Sequence, residues 1–331
     1  MVQRLMVVVG ATGGQGGAVV SKFLNDKSWK VRGITRNTQS ERAKALSARG
    51  VQMGQADLNN LVSLEKAFEG ATAIFAVTDF YESFWDKGWE KAMEIEYAQG
   101  TNMAKAASKV TKLEHYTWST LPYTSRITNG KAMVPHFEAK GRVDEFIRSD
   151  KRLLERTTFC LFTTFTINLI QYDIFRPIYM PGAKKWIQHY PTDPSTEYPL
   201  LGDHAVNTGI FIYSLVENKP PSGAYVRCSV KDYTLESYLA VWGKESGISP
   251  DPGSTMVVQL SPEVYTKLYG EMGEELARQW EFLRILKESG AANRYGFTVH
   301  DARKFMSKEA ITSLMSPEES IRNVNWKAHG F

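Results

Sequence analysis

With 331 residues and 43% hydrophobic content, the chain can bury a larger core than one small domain needs, so one large domain with an appended lobe is expected. Forty Lys and Arg against 36 Asp and Glu give a net charge of +4. These charges are scattered without dense basic blocks, which excludes nucleic acid as a leading ligand. Cys160 and Cys228 are the only cysteines. They stand far apart with no CxxC pair or histidine cluster, so neither a disulfide scaffold nor a metal site is expected, and a reducing cytoplasm is the expected location. No run approaches ~20 apolar residues, so no membrane span is expected.

In chain order, the apolar run Leu5 to Val9 predicts a strand that enters a glycine-rich turn, with a helix beginning near Gln15. A strand is expected over Trp29 to Ile34, a helix over Ser40 to Arg49 stopped by Gly50, and a strand over Val51 to Ala56. The pattern continues with a helix over Leu61 to Phe68, a strand over Ala73 to Val77 and a long alanine-rich helix over Glu90 to Ser108. A strand over Leu113 to Trp118, a helix over Pro135 to Ser149 and a strand over Thr157 to Phe162 follow. In that helix Ala139, Val143, Phe146 and Ile147 have core-facing spacing. Strands alternating with helices predict an α/β fold, a doubly wound parallel sheet covered on both faces.

Beyond about residue 165 five prolines interrupt an aromatic stretch that includes Tyr172, Phe175, Tyr179, Trp186, Tyr190 and Tyr198. The division expected is a dinucleotide-binding domain over 1–165 and a smaller α+β substrate or partner lobe over 166–331, some segments of which return to the sheet. Within the lobe the pattern predicts helices at Ala205 to Val216, Leu235 to Ser246 and Glu274 to Glu288, and a strand at Tyr225 to Ser229.

The chemistry starts at the turn. Gly10, Gly13 and Gly16 recur every three residues, matching the needs of a tight reversal, a backbone approach to pyrophosphate and close helix–strand contact. The helix that follows aims unpaired amides and the positive end of its dipole at that anion. The end of the second strand carries Thr35, Arg36 and Asn37 where an NAD-selective site has an acidic residue. Arg36 suits a 2′-phosphate, so NADP(H) is favoured, although a solvated surface arginine is the alternative. Asp57 either holds the adenine edge or caps the next turn. Ligands of open sheets lie across the carboxyl ends of the strands, which makes Thr78, Ser119 and Thr163 candidates by position.

The segments VGATGGQGG and HFEAKGRVDEF, with Arg36 and Asp57, resemble the NmrA-like branch of the atypical short-chain dehydrogenase/reductase superfamily. The resemblance covers roughly residues 4–170, with a looser echo in LLGDHAVNTGIFIYSLVENKP. It implies an extended Rossmann fold that binds NADP(H). The contact positions it implies are Thr12, Gly13, Gly14 and Gln15, then Arg36, Asp57, Leu58, Val77, Thr78, Phe80 and Lys140. Some members of the family sense the dinucleotide and bind partner proteins, whereas others reduce small molecules.

Active short-chain reductases carry YxxxK, in which tyrosine donates the proton and lysine binds the nicotinamide ribose; here His136 stands at the tyrosine position and Lys140 at the lysine. Residues i and i+4 share a helix face, so both should look the same way. Histidine is a competent general acid near neutral pH, and the alternative is a helix-start residue without chemistry. Related reductases place a hydroxyl after the fifth strand to polarise the substrate carbonyl, which nominates Ser119 or Thr120, with Tyr123 as a substitute acid. Two readings result. One is an oxidoreductase acting on a carbonyl or conjugated double bond of a flat apolar secondary metabolite, or an isomerase or cyclase on the same plan. The other is a redox sensor that controls a regulatory protein partner. Both leave a homodimer open.

Overall fold

The computed structural model describes residues 3–288 and 298–331. Its centre is an eight-stranded sheet of β1 (Arg4–Val9), β2 (Trp29–Thr35), β3 (Gln52–Gln55), β4 (Ala73–Ala76), β5 (His115–Thr120), β6 (Thr157–Phe162), β7 (Ala224–Cys228) and β8 (Val299–Asp301). The strand order is β8-β7-β6-β5-β4-β1-β2-β3, and every pairing is parallel. The order reverses beside β1, so the ends of β1 and β4 flank the crevice in which such sheets bind their ligands.

Around that sheet the described residues form the helical segments α1 (Gly14–Leu24), α2 (Glu41–Ala48), α3 (Leu61–Phe68), α4 (Tyr81–Ser108), α5 (Pro135–Ser149), α6 (His204–Glu217), α7 (Leu235–Ser246) and α8 (Pro262–Glu288), with shorter helices elsewhere. One face of the sheet packs on α3, α4 and α5 through Phe68, Met103, Val143 and Ile147. The other packs on α1 and α6 through Val19, Phe23, Phe211 and Leu215. Continuous apolar runs such as Met6 to Val9, all buried, are what a strand covered on both faces requires. A third core cluster joins the aromatic C-terminal half, with Trp242, Trp280, Tyr190, Tyr198, Tyr238 and Tyr265 almost fully buried, to Phe80, Phe84 and Ala92 of α4 and the turn before it.

The doubly wound parallel sheet expected from the sequence is present, and α3, α5, β6 and α7 have the expected limits. Differences cluster where glycine or proline disguises an element. Residues Tyr81–Ser108 are two helices joined at Gly88, whose φ of 73° and ψ of 170° are not helical; the second is the helix expected from Glu90, and the short one before Gly88 was not expected. Residues Pro262–Glu288 are likewise two helices joined at Gly270, and the second of them is the helix expected from Glu274. The proline-rich stretch after residue 165 holds strands at Ile178–Met180, Lys185–Tyr190 and Glu197–Gly202. Strand β5 lies two residues later than the apolar run suggests, since the hydroxyl-bearing Ser119 and Thr120 are buried in the sheet.

Candidate functional site

At the end of β1 the chain turns through Gly10, whose φ of 65° lies in the left-handed region that disfavours side chains. The turn is closed by the Gly13 amide donating to the Gly10 carbonyl at 2.9 Å. Gly16 packs so close beneath it that a Cβ there would lie 2.2 Å from the Gly10 oxygen. Helix α1 starts at Gly14 with no side-chain cap and no acidic residue in its first turn. The amides left over at a helix start need an acceptor, and the dipole there favours an anion. The buried Nε2 of Gln15 also has no partner. On these observations the loop fits a dinucleotide diphosphate. Gly14 faces His204 at the start of α6, whose ring would lie 2.0 Å from an added Cβ and stacks on Phe165 at 4.7 Å.

The other positions nominated by sequence fall into three groups. Val77 and Ser119 share the loop's surroundings: Val77 lies against Gly10, and the Ser119 hydroxyl donates to Gln15 Oε1 at 3.4 Å. Arg36 follows β2 directly, and its exposed guanidinium is ion-paired with Glu82 in the first turn of α4. Asp57 uses Oδ1 to accept from the Asn59 amide at 2.9 Å, the turn-capping arrangement. Leu58 offers its carbonyl to Asn102 Nδ2 at 3.0 Å, Thr12 is half-buried, and the Thr163 hydroxyl is buried without a partner. Tyr123 lies beside a surface depression with Ser125, Arg126, Asn129, Gly130 and Glu145.

Lys140 is buried. Its Nζ donates to Glu96 Oε1 at 2.7 Å, to Thr78 Oγ1 at 2.8 Å and to the Thr78 carbonyl at 3.1 Å. The Thr78 hydroxyl in turn donates to the same Glu96 oxygen at 2.7 Å. Glu96 comes from the middle of α4 and is 1% exposed. A buried carboxylate and ammonium are tolerated only when paired and hydrogen-bonded in this way.

His136, one turn earlier on α5, faces a different carboxylate. Its Nδ1 is hydrogen-bonded to Glu275 Oε1, and its backbone amide reaches the same oxygen at 3.4 Å. Glu275 arrives on α8 with a fully buried side chain. The Tyr81 hydroxyl donates to Glu275 Oε2 at 3.2 Å, so one carboxylate spans two ring side chains. Burial, and after it the Glu275 charge, push the Tyr81 phenol well above its ordinary value, so it is held neutral. Phe80 and Tyr81 bring their rings to 6.0 and 5.5 Å from the imidazole, and Tyr172 lies 5.7 Å from Tyr81. Of the aromatic residues expected around a substrate, Phe175 is buried core and Trp186 packs on Trp242. Tyr172 is the one that reaches the His136 cluster.

Sequence reading missed Glu96, Glu275 and Tyr81. Glu96 carried a faint signal as an acidic residue within an alanine-rich face, while Glu275 lies 139 residues from its partner and carried none.

A sequence profile of the NmrA-like family matches residues 3–294. The chain belongs to the NmrA-like family. An NmrA-like family protein of Dictyostelium discoideum is 29% identical over 334 residues, covering 98% of this chain and 99% of that protein. The NmrA-like oxidoreductase hkm9 of Aspergillus hancockii is 29% identical over 157 residues, 47% of this chain; the match spans 45% of hkm9, less than half its length. Among solved structures, NmrA, a negative transcriptional regulator, in complex with NAD has a TM-score of 0.74 at 20% identity, covering 99% of this chain and 98% of that one. The same regulator has been solved with NADP. This last likeness is one of fold. Among the described residues, no helix is long and apolar enough to cross a membrane.

Proposed function

We propose that this NmrA-like protein is an NADP(H)-dependent oxidoreductase that reduces a carbonyl or conjugated double bond of a flat, largely apolar small molecule. The observation that carries the reading is the pairing of His136 with a buried carboxylate beside Phe80 and Tyr81, which follow β4. The diphosphate is assigned to the α1 amides and Gly13, the 2′-phosphate to Arg36, and the nicotinamide half to the vicinity of Ser119, Thr78 and Val77. A nicotinamide bound there supplies hydride. The chain orients the two reactants, keeps water from them, and provides a proton from His136 to a substrate oxygen that becomes anionic. Phe80, Tyr81 and Tyr172 favour a flat apolar partner. Calorimetric titration with NADPH and NADP+, followed by cofactor absorbance with ketones, quinones, enones and imines, tests the reading. It predicts turnover that His136→Phe abolishes.

One observation favours a second reading, a redox sensor that controls a partner protein. Lys140 is held by Glu96 and Thr78, which leaves its ammonium less free for a ribose than a reductase requires. Under this reading NADP(H) binds without turnover, and a partner is captured in one redox state only, through differential affinity for two conformations.

A further inference from the structure

We infer that Glu275 is the positioning residue for His136, reaching into the site from the C-terminal lobe to fix which imidazole nitrogen faces the substrate. This rests on the oxidoreductase reading for its chemical purpose. The geometry carries it in three ways. The Glu275 carboxylate is fully buried, so it needs donors, and both of its oxygens are taken: Oε1 by His136 and Oε2 by the Tyr81 hydroxyl at 3.2 Å. An ionised carboxylate is acceptor-only, so the nitrogen it meets, Nδ1, carries a proton. That leaves Nε2 as the nitrogen available for proton transfer; among the described residues it has no hydrogen-bond partner, and the His136 side chain keeps 12% of its surface exposed. A buried acid that orients a histidine through Nδ1 and stabilises the imidazolium is the arrangement of the Ser-His-Asp triad.

The charged and titratable groups around the ring are few. Glu275 faces it from α8 and Tyr81 from α4. Lys140 lies one turn along α5 but is neutralised by Glu96, and Tyr172 lies beyond Tyr81. During turnover the Nε2–H bond breaks as a proton passes to the substrate oxygen and an O–H bond forms. The imidazole is left neutral with Nδ1–H still on Glu275, and uptake of one proton (H+) from solvent restores Nε2–H. The carboxylate comes from the second of the two helices joined at Gly270.

The test uses the full chain labelled with 15N at histidine. His136, assigned by comparison with His136→Gln, should show a protonated, slowly exchanging Nδ1 near neutral pH. Glu275→Gln, close in shape, should lose that signal or move the proton to Nε2, whereas Glu275→Asp should restore part of it. Both variants should keep the NADPH dissociation constant within about twofold, which separates positioning from unfolding. With a substrate in hand, Glu275→Gln should lower kcat by about 10²-fold, the lower end of what general-acid chemistry contributes, with KM little changed. A neutral His136 protonated on Nε2, or Glu275→Gln leaving both tautomer and kcat unaltered, would overturn the inference. The expected tautomer in a chain that turns over no substrate supports the placement and counts against the oxidoreductase reading instead.

Discussion

Glu82 lays its carboxylate on the guanidinium of Arg36, so the side chain best suited to a 2′-phosphate is already paired with an anion. The two come from different elements, the end of β2 and the first turn of α4, and meet at an exposed edge of the dinucleotide crevice. If Arg36 holds a 2′-phosphate, that phosphate competes with Glu82 for the guanidinium, whereas NAD(H), which lacks it, does not. Arg36→Ala should therefore weaken NADPH binding by about 1.5–3 kcal/mol, the range for charge-assisted hydrogen bonds. Glu82→Gln should tighten it by up to about 1 kcal/mol, since exposed pairs are worth no more than that. Titration with NADPH and NADH in parallel checks both, and an Arg36→Ala protein with unchanged NADPH affinity would remove the assignment.

The Lys140–Glu96 pair sits where neither charge can be left alone. Lys140→Met should destabilise the protein by about 3–5 kcal/mol, because it strands the Glu96 carboxylate among buried groups. The double variant Lys140→Met with Glu96→Leu should recover most of that loss. Urea unfolding of the two single variants and the double closes the cycle, and strict additivity would show that the pair is not coupled.

Close packing of the glycine loop makes neighbouring glycines unequal. An alanine Cβ at Gly16 would lie 2.2 Å from a backbone oxygen, whereas at Gly17 its nearest contact is 3.6 Å away. Gly16→Ala should therefore cost at least ~1–3 kcal/mol as overpacking and lose dinucleotide affinity, while Gly17→Ala does neither. Thermal unfolding with and without NADPH reads both effects.

Asp144 gives the protein a pH dependence of known sign. Burial pushes its carboxyl up to about 8, although Thr120 and Trp118 donate hydrogen bonds to it at 2.7 and 2.8 Å. The folded state thus holds a proton that the unfolded chain, with an ordinary aspartate near ~3.9, releases. The stability this proton contributes is full below about pH 4 and is lost as pH rises through about 8. Asp144→Asn keeps the acceptor without the charge, so its advantage over the unaltered chain should grow between those values. Denaturant midpoints of both proteins across that range check it, and a constant difference would contradict it.

Much of the sheet domain was legible because its signals are local. Pro135 at the first position of α5 and the core spacing of Ala139, Val143 and Ile147 set that helix, and the glycine loop announced the crevice beside β1. What escaped reading depends on contacts far apart in sequence. Gly88 does end a helix, and what carried no signal is the short helix before it, whose Tyr81 and Glu82 reach Glu275 and Arg36. Lys140 and His136 were expected to share a helix face, and at that one-turn spacing each meets its own buried acid, Glu96 and Glu275. Neither acid is near its partner in the chain, and no periodicity pairs them.

The most direct test of the central claim is the rate of NADPH oxidation, followed by absorbance, with the panel of ketones, quinones, enones and imines, for the unaltered chain and His136→Phe side by side. The account predicts turnover of at least one flat apolar compound by the first and its loss in the second, with NADPH binding retained in both. Tight NADPH binding with no oxidation on any compound, or turnover unaffected by His136→Phe, would contradict it.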